Sequence, residues 1–244
     1  MGSIERGEAV KIIIPTKGRA DVLREKALRL FPDATLCVGA DEVDAYGRLS
    51  DNLLVHPPEV VGIGPLRQWV LDHVDDPCVV MVDDDVTHVY SQVGFHKERI
   101  EDADTARAIV ERMAILAQDA GIRVFGFNQA ARPLTYANFR PVSLDTWVGG
   151  VVGIIGRELR YDQRLLLRAD IDFCLQSLLH DRIVLVDGRF SFIHTRFAGA
   201  GGNARQRSSE RHAQEMAYLK RKWGPYLDIV QAKGTTRLVV RVTR

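Results

Sequence analysis

Apolar residues in this chain recur in two patterns, short unbroken runs and helically spaced positions. "AVKIII" (9–14) is an unbroken run closed by Pro15, and "ATLCVG" (34–39), "NLLVH" (52–56) and "PCVVMV" (77–82) follow it. Runs of this length bounded by turn residues predict strands buried on both faces. Between them, Val22, Leu23, Ala27, Leu28 and Leu30 fall near helical spacing, which predicts a helix over 21–31 with Asp21 as its cap. "DEVDAYGRL" is expected as a short helix or turn. "VVGIGPLRQWVLDHV" opens in a glycine turn and is expected to be helical from about Pro65, since proline suits a first helical turn. Strands alternating with helices and short loops predict a mostly parallel sheet flanked by helices, an α/β chain of Rossmann-like type.

Beyond residue 90 the pattern is more mixed. Helices are expected at 103–119, 169–179 and 210–223, and strands at 122–127, 146–156, 182–187, 190–194 and 236–242. Residues 198–209, "AGAGGNARQRSS", are glycine-rich and basic, which suits a loop that closes over a ligand. No linker divides the 244 residues, so a single domain is expected, with 1–90 and 91–244 as its two halves.

Ligands of such sheets bind beyond the carboxyl ends of the strands. That places "PTKGR" (15–19) and "DDD" (83–85) on one rim. Three adjacent carboxylates at the end of a buried strand repel one another, so they either face water as an acidic turn or hold a cation. An Asp-x-Asp at a strand end can hold Mg²⁺ or Mn²⁺ beside substrate phosphates. In "PTKGR", Gly18 permits a tight turn and Lys17 and Arg19 offer positive charge. "GIGPLR" offers backbone N–H groups at a helix start, which is a natural anion site, with Arg67 one turn in. A P-loop is absent. Asp83, Asp85 and Thr87 also fit the DxDxT motif of haloacid-dehalogenase-type phosphatases, but Lys97 is the only lysine between Asp85 and Lys220 and no later acidic pair follows.

Composition changes the picture in two places. Net charge is +1, yet residues 157–244 hold 17 Lys+Arg against 9 Asp+Glu, and residues 189–222 hold eight against two. That asymmetry fits an anionic partner for the second half as well as it fits solvated faces. Three dispersed cysteines (Cys37, Cys78, Cys174) among apolar neighbours read as reduced core thiols of a cytoplasmic protein. Neither a signal peptide nor a membrane span is expected.

Taken in order, "KIIIPTKGR", "GIGPLRQWVLDH" and "VVMVDDDV" resemble the GT-A nucleotide-sugar glycosyltransferases. They resemble more closely the phage glycosyltransferases found beside TET/JBP-type DNA-base dioxygenases, which carry a Pro-[Ser/Thr]-x-Gly-Arg turn, a Gly-Ile-Gly-x-x-Arg helix and a triple-Asp motif. The likeness is specific over roughly 10–90. It implies a GT-A-like fold and transfer of a sugar from a nucleotide-sugar, expected to be a UDP-sugar, to a hydroxyl. For a phage-encoded chain the setting is the host cytoplasm. Donor binding would fall to Pro15, Thr16, Lys17, Gly18, Arg19, Gly62, Gly64, Arg67, Asp83 and Asp84. Mn²⁺ or Mg²⁺ would be held by Asp83, Asp85 and the late His194 of "SFIHT". "RADIDFCL" supplies Asp170 and Asp172 where the family order expects an acidic pair, as candidate catalytic residues. The acceptor would be the hydroxymethyl group of a 5-hydroxymethylpyrimidine in double-stranded DNA, met by Trp147, Arg205, Arg207 and Arg211, with Trp147 or Tyr136 steadying a flipped base. A protein, glycan or small-molecule acceptor, and a non-catalytic nucleotide-binding module, are the alternatives.

Overall fold

A computed structural model describes the protein over residues 10–92, 96–129, 136, 139–194, 208–232 and 235–242. Along the chain the elements are β1 (Lys11–Pro15), α1 (Ala27–Leu30), β2 (Thr35–Gly39), α2 (Val43–Tyr46), β3 (Leu53–His56), α3 (Ile63–His73), β4 (Cys78–Val82), β5 (Val86–Ser91), β6 (Glu98–Ile100), α4 (Ala103–Asp119), β7 (Val124–Asn128), β8 (Val142–Ser143), β9 (Val151–Ile155), α5 (Ala169–His180), β10 (Leu185–His194), α6 (Ser209–Trp223), β11 (Leu227–Ala232) and β12 (Thr235–Val240).

Ten of these strands form one sheet in the order β3-β2-β1-β4-β9-β7-β10-β5-β6, with β8 paired to β10. The pairings of β1 with β2 and β4, of β2 with β3 and of β7 with β10 are parallel. Following the antiparallel pairings around the rest, β5, β8 and β9 run opposite to the other seven strands. β1, β2 and β4, as their unbroken apolar runs predict, are buried on both faces, whereas β3 is the edge strand of the sheet and leaves Val55 exposed. Ile12, Ile14, Val80 and Val82 enter one core with α1 and α4. Ile13, Val79 and Met81, pointing the other way at every second position, enter a second core with α3, α5 and α6. β1–β4 and β10 therefore point the same way and end on one rim.

The expected helix over 21–31 is shorter. It is a 3₁₀ turn at Leu23–Glu25 followed by α1, interrupted at Lys26 (φ −122°, ψ −125°), and Asp21 caps neither piece. α3 begins two residues earlier than expected, at Ile63. The two strands expected at 182–187 and 190–194 are one, β10, whose register against β7 shifts between Asp187 and Ser191. The last expected strand pairs with β11 in a separate hairpin rather than joining the sheet.

Candidate active site

The four parallel strands and the N-terminal ends of α3 and α5 enclose a cleft of ≈ 320 Å³ at the rim. Pro15, Thr16, Lys17 and Arg19 form one wall, Gly62 and Arg67 another, and Asp83, Asp84, Asp85 and Asp170 the floor. His56, at the end of β3, Leu167, just before α5, and the apolar Val60, Val61, Ile63 and Leu66 complete the lining.

The three consecutive aspartates have different surroundings. Asp83 and Asp85 are half-buried and Asp84 is buried. Asp84 is paired with the Arg19 guanidinium and accepts a hydrogen bond from Thr16 Oγ1 at 3.0 Å. The Tyr46 hydroxyl lies 2.9 Å from the same Thr16 oxygen and accepts the Arg19 N–H at 3.0 Å. Burial raises the Asp84 carboxyl to about 6 against the opposing pull of Arg19. Asp84 and Arg19 thus hold the rim turn to the end of β4. Lys17 and Gly18 are exposed at the crest of that turn, with Gly18 at φ 64°.

Asp83 and Asp85 lie to either side of that strut. Asp85 Oδ1 is 2.9 Å from His194 Nδ1, and one ligand atom from each of Asp83, Asp85 and His194 falls within 4.8 Å of the others. His194 reaches this position because β10 ends beside the start of β5, where the register shifts between Ile193 and His194. Gly150, at φ 76°, makes room for its ring, since a Cβ there would overlap the imidazole. The Gly150 carbonyl also accepts the Asp83 N–H at 2.7 Å. Two carboxylates and an imidazole converging at a strand end form a donor set that could hold a divalent cation.

Arg67 is fully buried. Its Nη2 donates to Asp83 Oδ1 at 2.7 Å and its Nη1 pairs with Asp170 Oδ1. Its guanidinium therefore joins the candidate metal carboxylate to the first turn of α5. The other Asp170 oxygen faces Gly149, 3.4 Å from where a Cβ would stand. The missing side chain leaves that carboxylate approachable, and 20% of the Asp170 side chain is exposed.

Two expectations need correction. Asp172 is not part of the cleft. It is fully buried and accepts from Trp223 Nε1 at 2.8 Å and Gln176 Nε2 at 2.9 Å, with Lys222 Nζ at 2.6 Å. Residues two apart on a helix point to nearly opposite sides, so only one of Asp170 and Asp172 can face the rim. Nor is the start of α3 open to an anion. The Ile63 and Gly64 N–H groups donate to the carbonyls of Leu166 (3.0 Å) and Leu165 (3.1 Å), and Pro65 has none. Gly62 and Gly64 serve close packing instead. A Cβ on Gly62 would stand 2.6 Å from Leu166, and one on Gly64 would overlap the Leu165 carbonyl.

The loop held there is also fixed from its far side. Glu215 of α6, buried, accepts the N–H groups of Leu166 (3.0 Å), Leu167 (3.1 Å) and Arg168 (3.0 Å). No sequence motif points to Glu215, whose partners lie 47 to 49 positions away. His56 likewise went unnoticed, although its place at a strand end on the rim was a usable signal.

Trp147 is half-buried against the second core and does not line the cleft, though its ring edge stands 3.2 Å from a Cβ position on Gly149. Tyr136 lies against Gly188. Arg205, Arg207 and all but the last two residues of the expected lid at 198–209 lie outside the described residues. Arg211 is in the first turn of α6, where its N–H is capped by Ser208 Oγ at 3.0 Å. Part of the basic charge of 189–222 is engaged internally. Arg189 pairs with Asp187, Lys220 with Asp228, and Lys222 with Asp162 and Asp172.

A family model described as TET-Associated Glycosyltransferase matches residues 10–203, which takes in every cleft residue named above. Among solved structures the chain is similar to S. aureus TarS, with TM-score 0.51 and 14% identity over 88% of this chain and 39% of that one. It is also similar to a mycobacterial protein, with TM-score 0.52 and 12% identity over 96% of this chain and 84% of that one. At such identities the likeness is one of fold. The chain spans 59% of the TarS 1–349 fragment. No curated protein sequence matches it. The architecture is GT-A-like, a mixed, mostly parallel sheet flanked by helices in a single domain. Among the described residues no helix is long and apolar enough to cross a membrane.

Proposed function

The chain belongs to the TET-associated glycosyltransferase family, and from that premise we propose that it moves a sugar from a nucleotide-sugar, a UDP-sugar in our reading, to the hydroxymethyl group of a 5-hydroxymethylpyrimidine in DNA. The observation that carries the reading is the juxtaposition at the rim. A three-ligand cluster of Asp83, Asp85 and His194 stands one guanidinium away from an approachable carboxylate, Asp170.

In this reading Asp83, Asp85 and His194 would hold Mn²⁺ or Mg²⁺, which would supply positive charge against the negative charge of the departing nucleoside diphosphate. Lys17, at the crest of the rim turn, meets the donor, and the Thr16–Asp84–Arg19 strut keeps that turn in place. Asp170 accepts the proton of the acceptor hydroxyl as the oxygen attacks the anomeric carbon. The bond to the diphosphate breaks through an oxocarbenium-like state, and attack from the Asp170 side inverts the anomeric centre. Arg67 acts inside the protein as a positioning residue. Its pairing with Asp170 Oδ1 fixes which carboxylate oxygen faces the cleft. Support for DNA as acceptor comes from the family and from the basic second half of the sequence.

The test is incubation with a panel of nucleotide-sugars and hydroxymethylated DNA, with Mn²⁺ or with EDTA, read by mass spectrometry of the digested nucleosides. A metal-dependent gain of one sugar on the modified nucleoside is expected. Transfer only to a protein or small-molecule hydroxyl would remove the DNA acceptor and leave the transferase. Full turnover in excess EDTA would remove the metal, and absence of any donor turnover would remove the activity.

A further inference from the structure

A second cavity, of ≈ 440 Å³, lies on the other side of the β4–β5 turn. Four cationic side chains line it, namely Arg24, Lys26, Arg29 and Arg99, against one carboxylate, Glu25. The partners of Arg24, Arg29 and Arg99 leave their positive charge largely in place. Arg24 donates to the Arg48 carbonyl at 3.0 Å and Arg29 Nη2 to the Thr87 carbonyl at 2.6 Å, and neither acceptor carries a charge. Arg29 Nε is buried with no hydrogen-bond partner among the described residues. Arg99 pairs with Glu101 at 2.8 Å, an ion pair in which both side chains are exposed and which therefore neutralises little in water. The surroundings register the excess charge. Burial, then Arg99 and Arg29, holds the His88 imidazole below its ordinary range.

Beyond the cavity the surface changes character in a specific way. His88 and Tyr90 project from the same face of β5 with near-parallel rings 6.1 Å apart. Lys97 Nζ stands 5.1 Å from the centre of the Tyr90 ring, and Arg99 is the cross-strand partner of Tyr90. Positive groups interleaved with flat rings along a sheet edge are the elements with which proteins follow a nucleic-acid strand. Thr87, two residues from Asp85, forms the near wall, and its Oγ1 donates to the Ile193 carbonyl at 3.3 Å, next to His194.

We propose that this cavity binds a backbone phosphodiester of the polynucleotide acceptor, at a site separate from the donor diphosphate. The inference rests on the DNA-acceptor reading above and deepens it. It moves part of the DNA contact from the basic C-terminal segment to the β5–β6 edge.

The exposed residues Arg24 and Arg99 allow a test that leaves the catalytic cleft intact. Binding of a short duplex carrying 5-hydroxymethylcytosine is followed by fluorescence anisotropy between about 50 and 200 mM salt, for the wild type and for Arg24→Glu/Arg99→Glu. Donor hydrolysis and donor KM are measured on the same proteins. The variant is expected to bind DNA about tenfold more weakly, with a salt slope shallower by about 1 and an unchanged donor KM. Arg24→Gln/Arg99→Gln should move in the same direction by less. Equal DNA affinity and slope in wild type and variant would overturn the phosphodiester site and leave the DNA acceptor standing. A rise in donor KM at constant DNA affinity would overturn it in favour of the donor. A wild type that binds no duplex at low salt would overturn the acceptor reading, and this site with it.

Discussion

The rim cleft and the contact between α5 and α6 are built from the same residue types with opposite results. Between the helices every carboxylate is surrounded by donors. Asp172 has Trp223, Gln176 and Lys222, and Glu215 has three backbone N–H groups. Asp162 has the Arg164 guanidinium, the Tyr218 hydroxyl at 2.6 Å and Lys222 at 3.0 Å. At the rim, Asp83 faces a single guanidinium that it shares with Asp170, and 35% of its side chain is exposed. A surplus of donors turns a carboxylate into a structural tie, whereas a shortage leaves it able to take a cation or a proton. The proportion of donors to acceptors separates the two regions better than the density of aspartates does.

The largest test of that contrast is at the rim. Asp85→Ala should lower kcat/KM for transfer by about 10²–10³-fold, the range seen when one preorganised electrostatic group is removed. Its melting temperature should stay within about 2 °C of wild type. A large fall in melting temperature would mean that Asp85 is a tie like Asp172, and the contrast would break. Next comes the converse. Asp172→Ala leaves buried donors without an acceptor and should cost about 3 kcal/mol, which lowers the melting temperature by about 6–12 °C in a chain of this size. The protein that remains folded should transfer sugar nearly as fast as wild type. A normal melting temperature with lost activity would return Asp172 to the chemistry.

The smallest effect is on pH dependence. Hydrogen bonds from Arg164, then Tyr218 and Lys222, hold the Asp162 carboxyl well below the usual carboxylate range. Its stabilising contribution is therefore complete above the unfolded-state value of about 4 and is lost as pH falls below that. Asp162→Asn should melt a few degrees lower at pH 7, and the gap should narrow between pH 5 and pH 3 in thermal scans. A gap that stayed constant with pH would show that the tie depends on shape rather than on charge.

The parallel half of the sheet was legible because strands buried on both faces have no polar alternation to disguise them. β5, β6 and β8 were not, because edge and antiparallel strands here are short or mixed, as in "VTHVYS" and "ERI". β10 looked like two strands because Asp187-Gly188 reads as a turn, whereas it forms an irregularity within one strand. At the site, Asp83, Asp85, Asp170 and His194 could be singled out because each sits at an element end on the rim, and Arg67 because it lies one turn into α3. Helical periodicity alone prevents Asp170 and Asp172 from sharing the rim, and the packing against α6 decides that Asp172 is the one turned away. Glu215 could not have been found, since its role depends on amides brought to it by a loop nearly fifty positions earlier.

The site also closes over long stretches of chain. Asp85 meets His194 across 109 positions, and Arg67 meets Asp170 across 103. Contacts so distant in sequence form slowly, because the intervening chain must be ordered first. During synthesis from the N-terminus, the rim turn, α3 and all three aspartates emerge long before either late partner exists. In that interval the Arg67 guanidinium has Asp83 but no second carboxylate, and the aspartates have no imidazole. The imidazole joins the two carboxylates only as β10 inserts between β7 and β5 to complete the sheet. An unfinished chain holds the most recognisable motifs of the sequence before their distant partners have arrived.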